Sequence, residues 1–515
     1  MKICPIPTSI RSRILLIVVP AVAIAAVVGA AFFTPSPLAV ERAEPGRDGT
    51  PEFDPTKAAK VDIGEILEVF VAPASRDLKV SDEIWPAFRG PQLDFIAPAD
   101  YPVPLDPGFR NDGVVRKAPM AEQGILWTVG MGEGYAAPAI AEGCAFVLDY
   151  DELKRADSLR CFDLETGEEL WRRWYRVDVK RNHGLSRTVP AISDGVVVTL
   201  GPRGQVMACE TENGKLLWGI DLVREYGTEI PDWHVGQCPV IVDGKVLLAP
   251  TGTEAMFLAV DLHTGEVAWK TPNPEGWKMS HASLTIVELG GERVAINLAL
   301  GGIIGVAIDG ERAGETVFES DAWTEAVIVP SPVMLPGNRI LVTAGYGAGG
   351  ALLQLNPNED GKTFDVELAD EWLPPQGISS EQQTPVVYGD YVFCVLPKSA
   401  ARYREQMACY HADDLRKPVW TSGRERYGLG PYFIADDYLI VMDDHAAVSF
   451  LELSTEEFKP VAAVKFLEDG YDSWGPLALS DGKLIARDSL VMACLDLEKL
   501  RFDNQVETAQ VVTRP

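Results

Sequence analysis

A unit of roughly 48 residues recurs along most of the chain, and this repeat limits the possible folds more than any other feature. Three adjacent copies share a small residue, an acidic residue two positions later, a Gly turn, and a Trp four positions beyond that Gly. These copies end at Trp171, Trp218 and Trp269. Self-similarity at this period is typical of solenoids and propellers, in which each unit buries its apolar face against its neighbours.

Each unit opens with an apolar stretch, a turn and a β-branched run. In residues 190–198 and 239–248 the turn is Asp-Gly, which is a strong hairpin signal between apolar runs. Such openings recur along the chain at Pro138, Pro190, Pro239, Ser283, Pro332, Pro385, Pro431 and Pro476. We therefore expect an all-β, eight-bladed β-propeller with four short strands in each blade, closed so that its sheet edges are hidden.

The closing strand of the ring has a candidate in the sequence. Residues 125–127, Ile-Leu-Trp, resemble the strand end at residues 216–218, yet they precede the first unit, and the last unit runs out after Asp496. We predict that residues 125–127 supply the outer strand of the eighth blade.

The shared pattern, A-x-D-x-x-T-G-x-x-x-W, resembles the repeat of the pyrroloquinoline-quinone (PQQ)-like, or quinoprotein-like, eight-bladed propellers over residues 120–500. Residues 85–91, Trp-Pro-Ala-Phe-Arg-Gly-Pro, also resemble the lead-in of bacterial PQQ-like repeat proteins. The resemblance implies that the motif Trp side chains dock one blade on the next.

The resemblance also implies two possible activities. Dehydrogenases of this type hold PQQ and Ca²⁺ in a central funnel, and many stack the quinone on a disulfide between adjacent cysteines. Other members, including the propeller subunit of the outer-membrane β-barrel assembly machine, are non-catalytic binding scaffolds. This chain has no adjacent cysteines and no calcium ligand set at matching positions. We expect a scaffold without a cofactor; the alternative is a PQQ- and Ca²⁺-dependent dehydrogenase that oxidises an alcohol or sugar.

The N-terminal region has the pattern of a membrane segment. Lys2, Arg11 and Arg13 precede residues 14–33, an uncharged apolar run that is long enough to span a bilayer. Residues 1–33 are therefore predicted to be a signal anchor or a cleaved signal peptide, with the remaining chain in the periplasm or outside the cell.

A Pro-rich stalk, residues 34–52, separates that segment from residues 53–120, which are predicted to contain a helix and the lead-in. The helix is expected to end near Pro73, because apolar residues follow helical spacing at Ile63, Ile66, Leu67, Phe70 and Val71. The propeller then occupies residues 121–515.

The net charge of the chain limits the classes of partner that it can bind favourably. Its net charge is −29 over 515 residues, which makes nucleic acid or an anionic surface an unfavourable partner. We expect an envelope protein or peptide instead, with the membrane contacted through residues 14–33.

In a propeller with strand order A-B-C-D, the D–A and B–C loops share one rim. His183, His234 and His281 fall in consecutive D–A loops, and they are either candidates for a transition-metal site or hydrogen-bonded loop residues. Arg187 on this rim could hold a quinone carboxylate. The other polar and aromatic rim residues suit a small ligand or an extended peptide, unless they are simply polar loop residues: Gln237, Glu325, Glu381, Gln382, Gln383, Tyr427, Asp472 and Trp474.

A repeated Met-Ala-Cys triplet ends at Cys209, Cys409 and Cys494. A repeated thiol could indicate redox chemistry, but all three lie in predicted C strands. We therefore interpret them as buried core thiols.

Overall fold

The computed structural model describes residues 78–105, 124–181, 184–467 and 470–500, together with the backbone of residues 69–71 and 116–118. The strands form eight sheets, which confirms the all-β, eight-bladed prediction. The predicted signal segment 1–33 and stalk 34–52 lie outside the described residues. Within the described ranges, no helix combines the length and the apolar character needed to cross a membrane.

Three strands precede the first complete blade: β1 (Val69–Val71), β2 (Arg116–Ala118) and β3 (Ile125–Gly130). Blades 1 and 2 follow, each in the order A to D, as β4 (Ala139–Ala141), β5 (Cys144–Asp151), β6 (Ala156–Asp163), β7 (Glu169–Arg176), β8 (Ala191–Ser193), β9 (Val196–Leu200), β10 (Gln205–Glu210) and β11 (Leu216–Asp221). A short helix, α1 (Leu222–Tyr226), begins at the Asp221 cap, whose carboxylate accepts from the amides of Val223 and Arg224.

Blades 3 to 5 continue the same order as β12 (Val240–Val242), β13 (Lys245–Leu248), β14 (Phe257–Asp261), β15 (Val267–Thr271), β16 (Thr285–Leu289), β17 (Glu292–Ala299), β18 (Gly302–Ala307), β19 (Thr316–Ser320), β20 (Val333–Leu335), β21 (Arg339–Ala344), β22 (Gly349–Pro357) and β23 (Phe364–Trp372).

Blades 6 to 8 complete the ring as β24 (Val386–Tyr388), β25 (Tyr391–Val395), β26 (Met407–His411), β27 (Asp414–Thr421), β28 (Tyr432–Ala435), β29 (Tyr438–Met442), β30 (Ala447–Glu452), β31 (Pro460–Lys465), β32 (Ala478–Ser480), β33 (Lys483–Arg487) and β34 (Val491–Asp496). Short 3₁₀ turns lie at Gly310–Arg312, Ala401–Tyr403 and Leu497–Lys499. The A strands of neighbouring blades contact one another, so strand A is innermost.

The predicted ring closure is confirmed. Strand β3 pairs antiparallel with β34, with Ile125 opposite Leu495 and Trp127 opposite Cys494. The eighth blade therefore takes its outer strand from the N-terminal side of the propeller. This pairing joins the two ends of the propeller into a closed ring.

The repeated Gly–Trp pair has a direct packing explanation. The Trp218 ring lies against Gly265 of the next blade, where an added Cβ would meet the ring at 2.7 Å. The Trp218 Nε1–H donates to the carbonyl oxygen of Leu262 at 2.8 Å. Equivalent bonds cross three other blade junctions, from Trp127 to Leu164, from Trp171 to Thr211 and from Trp420 to Ser454. At these four junctions the motif Trp docks one blade on the following one.

Part of the predicted amphipathic helix is a strand instead. Residues 69–71, its last turn, form β1, which pairs antiparallel with β7 as a fifth strand of blade 1. The outer edge of a blade presents unpaired backbone groups, and a Val-Phe-Val triplet suits such an edge. The rest of the predicted helix lies outside the described residues. Strand β2 adds to blade 7 in the same way, parallel to β31.

The lead-in, residues 78–105, occupies the central channel. It bonds to the A strands of five blades or to residues beside them, linking Trp85 to Ile140, Pro86 to Ile192, Arg89 to Thr285, Phe95 to Ile434 and Glu83 to Ser480. Trp85 is 2 % exposed and packs edge-on against Phe433, with ring centroids 5.3 Å apart. The lead-in therefore fills the space that the ring of A strands would otherwise leave open.

Candidate functional site

A cavity of about 270 Å³ lies where the D–A loops converge at one end of the channel. All eight D–A loops contribute to its wall, and Phe88 of the lead-in lines it from within the channel. The D–A loop residues that line it include Tyr135, Arg187, Trp233, Gly236, Cys238, His281, Ser283, Val329, Glu381, Gln382, Gln383, Leu429, Trp474 and Pro476. Tyr346, from the B–C loop of blade 5, completes the wall.

Two aromatic pairs form much of the cavity wall. Trp233 and Tyr346 are stacked at a centroid distance of 5.7 Å with 14° between their planes. Tyr135 and Trp474 lie 5.1 Å apart in a tilted arrangement. The Trp474 Nε1–H donates to Asp444 at 2.8 Å, which fixes the orientation of that ring. Tyr346 is 62 % exposed, so the aromatic wall reaches the surface.

Arg187 brings a cation to this wall. One of its terminal nitrogens donates to the carbonyl oxygen of Gly184 at 2.9 Å. Burial lowers the pKa of Arg187 to about 10, so the guanidinium remains charged at neutral pH. A desolvated guanidinium beside aromatic rings favours an anionic or planar polar group.

The Gln-rich loop of residues 381–383 lies across two neighbouring loops. Gln383 Nε2 donates to the carbonyl oxygens of Leu429 and Trp474, at 3.1 and 3.3 Å. Burial raises the pKa of Glu381, although a hydrogen bond from the Lys398 backbone amide opposes this effect. This part of the wall therefore combines hydrogen-bonding amides with a carboxyl group.

The structure describes two of the three rim histidines, His234 and His281. Burial lowers the pKa of His281 to about 3 and that of His234 to about 4, so both imidazoles are neutral. His234 Nε2 bonds to the Lys180 carbonyl oxygen at 2.9 Å, and His183 lies outside the described residues. Among the residues that the structure describes, no group of three or more His, Cys, Asp or Glu side chains is arranged to hold a metal ion.

Several predicted rim residues do not line the cavity: Gln237, Glu325, Tyr427 and Asp472. Gln237 is 1 % exposed and joins two blades, since its amide donates to Ala282 and its carbonyl oxygen accepts from the amide of Ala249. Tyr427 is buried as well. Arg187, His281, Glu381, Gln382, Gln383 and Trp474 are the predicted residues that the structure brings together.

Sequence reasoning missed four aromatic residues of the cavity: Phe88, Tyr135, Trp233 and Tyr346. Tyr135, Trp233 and Tyr346 lie in D–A or B–C loops, so placing every aromatic residue on the predicted strand order would have found them. Phe88 belongs to the lead-in motif, but nothing in that motif indicates that the segment enters the channel.

The predicted C-strand position of the Met-Ala-Cys cysteines is confirmed. Cys209, Cys409 and Cys494 are free and fully buried in β10, β26 and β34. Burial raises the pKa of Cys209 to about 12, as expected for an unreactive core thiol.

Asp157 anchors the loop that carries Arg187. Its side chain is fully buried and accepts hydrogen bonds from Tyr175, at 2.8 Å, and from Ser186. The carbonyl oxygen of Ser186 accepts in turn from the amides of Tyr135 and Ala136. Asp157 therefore connects the blade 1 core to two neighbouring loops of the cavity wall.

We expect this carboxyl group to make stability depend on pH. Burial raises the pKa of Asp157 to about 7, so between its ordinary pKa and about 7 the folded protein holds a proton that the unfolded chain has released. The stabilisation is complete below that interval and is lost as pH rises through it, by up to roughly 1.4 kcal/mol per pH unit. Asp157→Asn should flatten the dependence of Tm on pH in this range. The exposed Asp194→Asn should leave it unchanged, and an unaltered profile in Asp157→Asn would contradict the assignment.

Comparisons with known proteins agree with the architecture. A family profile described as outer membrane protein assembly factor BamB matches residues 155–416. The outer membrane protein assembly factor BamB of Yersinia pestis is 27 % identical over 150 residues, which are 28 % of this chain and 36 % of that protein. The matching stretch thus spans little more than a third of the curated relative.

Two solved structures illustrate the similarity of the chain to known proteins. BamB from Moraxella catarrhalis is 14 % identical, with a TM-score of 0.36, 75 % of this chain covered and 95 % of that one. Quinohemoprotein alcohol dehydrogenase from Comamonas testosteroni is 10 % identical, with a TM-score of 0.41, 84 % of this chain covered and 83 % of that one.

Proposed function

Since the chain belongs to the PQQ-like repeat family described as outer membrane protein assembly factor BamB, we propose that it is a non-catalytic propeller scaffold of the cell envelope that binds a protein or peptide partner. The partner contacts the face formed by the D–A and B–C loops, which we call the funnel face. Residues 14–33 act as a membrane anchor or as an export signal that places the propeller in the periplasm.

The observation that carries this proposal is the concentration of exposed apolar side chains on the funnel face. Five of the most exposed large apolar side chains lie in loops of the funnel face: Leu153, Tyr346, Leu373, Tyr471 and Leu490. Exposed apolar groups around a concave site are typical of protein–protein contact surfaces. The aromatic wall and the desolvated Arg187 add groups that are enriched at interface centres.

The described residues of the cavity wall do not fit PQQ with Ca²⁺. A calcium ion takes six to eight oxygen ligands, yet Glu381 is the one carboxylate among these residues. The three carboxylates of PQQ would meet one guanidinium among them, that of Arg187. These donors match neither the metal nor the charge of the quinone, so we propose that the funnel holds no cofactor.

Site-specific photo-crosslinking tests the proposal. A photoreactive residue at Tyr471, which is 67 % exposed on the funnel face, should give a discrete protein adduct in intact cells. The matched control places the photoreactive residue at Tyr388, which is 43 % exposed at an A–B turn on the opposite rim. This position should give no adduct. Adducts at both positions, or at neither, would contradict binding through the funnel face.

Experiments with the purified protein test the alternative, a PQQ-dependent dehydrogenase. The absorption spectrum of the purified protein should show no quinone, and added PQQ with Ca²⁺ should support no oxidation of alcohols or sugars. Dye-linked oxidation that appears on reconstitution and disappears in Arg187→Ala would establish the dehydrogenase instead.

A further inference from the structure

Blade 6 carries an unusual concentration of positive charge on the funnel face. Five exposed cations lie on its B–C loop and on the following D–A loop: Lys398, Arg402, Arg404, Arg424 and Arg426. We call this set the blade 6 basic patch. The same two loops also carry Glu405 and Glu425, so five cations and two carboxylates leave them a net charge of +3. The chain as a whole has a net charge of −29, so this local positive charge contrasts with the rest of the molecule. Such a local patch attracts and orients anionic partners.

Backbone hydrogen bonds join the two loops of the patch into one surface. The amide of Tyr427 donates to the carbonyl oxygen of Glu405 at 2.8 Å, and the amide of Glu405 donates to Leu396 at 2.9 Å. Arg426 is held by the carbonyl oxygens of Gly423 and Glu425, at 2.6 and 3.0 Å. The guanidinium of Arg402 lies 4.5 Å above the Tyr403 ring. These contacts hold Arg402 and Arg426 in place before a partner arrives, and Arg404 is paired with Glu405 at 3.4 Å.

The blade 6 basic patch borders the cavity. The D–A loop that carries Arg424 and Arg426 also supplies Leu429 to the cavity wall. On the other side, the Lys398 backbone amide bonds to Glu381 of the wall. A chain segment can therefore contact the patch and the cavity at the same time.

We infer that the partner bound at the funnel face is an acidic, extended peptide segment that inserts an aromatic side chain into the cavity and lays its carboxylates against the blade 6 basic patch and Arg187. This inference rests on the proposed function and names the chemistry of the partner. Aromatic rings pack well against the paired rings Trp233–Tyr346 and Tyr135–Trp474.

A peptide fits these observations better than an anionic membrane does. A membrane surface cannot fill a recessed cavity of about 270 Å³. The patch occupies one sector of the rim, while the strongly negative chain around it would be repelled by anionic lipid.

Fluorescence anisotropy with the purified full chain tests the inference. The probe is a labelled heptapeptide, Glu-Asp-Glu-Phe-Glu-Asp-Glu, compared with one in which Lys replaces every acid and one in which Ala replaces Phe. We expect saturable binding of the first peptide, none of the second, and at least about fivefold weaker binding of the third. Raising NaCl from about 50 to about 300 mM should weaken binding about tenfold or more, because exposed charges are screened.

Charge reversal with a matched control locates the site. The variant R402E/R404E/R424E/R426E should weaken binding at least about tenfold, since attraction becomes repulsion. The control K215E/K245E/K362E/K459E changes the net charge equally on the opposite rim and should retain binding within about twofold. Tyr346→Ala removes a largely exposed ring, so folding is preserved while the Phe-dependent part of the affinity is lost.

Besides failure of the acidic peptide to bind, three results would overturn the inference. One is equal binding of the acidic and basic peptides, and another is equal loss in the two charge-reversal variants. The third is binding to phosphatidylglycerol vesicles that depends on the patch, without binding of the acidic peptide. If the acidic peptide fails while the Tyr471 adduct persists, the inference fails and the proposed function stands.

Discussion

Replacing Trp218 with Ala is expected to lower the free energy of unfolding by about 3–5 kcal/mol, measured by urea denaturation. The side chain is 8 % exposed, and its ring fills the junction between blades 2 and 3. Its removal leaves a cavity at that junction. It also leaves the Leu262 carbonyl oxygen without the indole donor that it now accepts from.

The glycine on the other side of the junction provides a matched test. Gly265 and Gly244 both have positive φ, at 72° and 68°, so Ala costs about the same backbone strain at each. An added Cβ at Gly265 meets the Trp218 ring at 2.7 Å, whereas Gly244 has nothing within 4 Å. Gly265→Ala should therefore destabilise by roughly 1–3 kcal/mol more than Gly244→Ala. Equal losses of stability in the two variants would show that close packing of the Trp218 ring on Gly265 is not required.

Trp474→Ala serves as a second comparison for Trp218→Ala. Trp474 is half-buried on the funnel face. Its replacement by Ala removes the hydrogen bond to Asp444 and the contact with the Tyr135 ring. We expect a loss of about 1 kcal/mol. A loss as large as that of Trp218→Ala would contradict the distinction between a docking residue and a rim residue.

Trp127→Ala is expected to weaken the closure of the ring, with a loss of about 3–5 kcal/mol. Trp127 is 7 % exposed in β3, donates to the Leu164 carbonyl oxygen at 2.9 Å, and lies against Gly167 of blade 1. Strand β3 joins the two ends of the propeller. Loss of the Trp127 side chain should therefore allow blade 8 to unfold locally before the other blades.

Hydrogen exchange distinguishes this local opening from general destabilisation. In Trp127→Ala, the amides of β3 and β34 should exchange much faster than those of blades 3 to 5. Thr128→Ala, an exposed neighbour in the same strand, should leave both rates nearly unchanged. Uniform acceleration in every blade would contradict the closing role of β3.

The fold could be predicted because its determinants are local in the sequence. Pro at the start of strand A, the Asp-Gly hairpins and the Gly–Trp pair each lie within one unit, and the observed A strands begin one or two residues after the predicted markers. The segment around Phe70 was different. Its apolar spacing suits a helix, but pairing with the edge strand β7 decides its conformation, and that edge is remote in sequence.

The site was harder to predict than the fold because loop conformation decides which rim side chains face the cavity. Gln237 and Gln383 are both D–A loop amides, yet the first joins two blades and the second lines the wall. Trp233 and His234 adopt positive φ, at 60° and 74°, which non-glycine residues seldom do and which no spacing rule anticipates. The identity of the rim was therefore predictable, but the direction of each side chain was not.

The lead-in in the channel has a consequence for the order of folding. Its partners Thr285, Ile434 and Ser480 follow it by hundreds of residues, so these contacts cannot form until most of the blades exist. The β3–β34 pairing has the same requirement. Contacts of such high sequence separation form slowly, and the strand edges and the apolar lead-in stay exposed until then. A newly made chain is thus most prone to aggregation just before its last blade is complete.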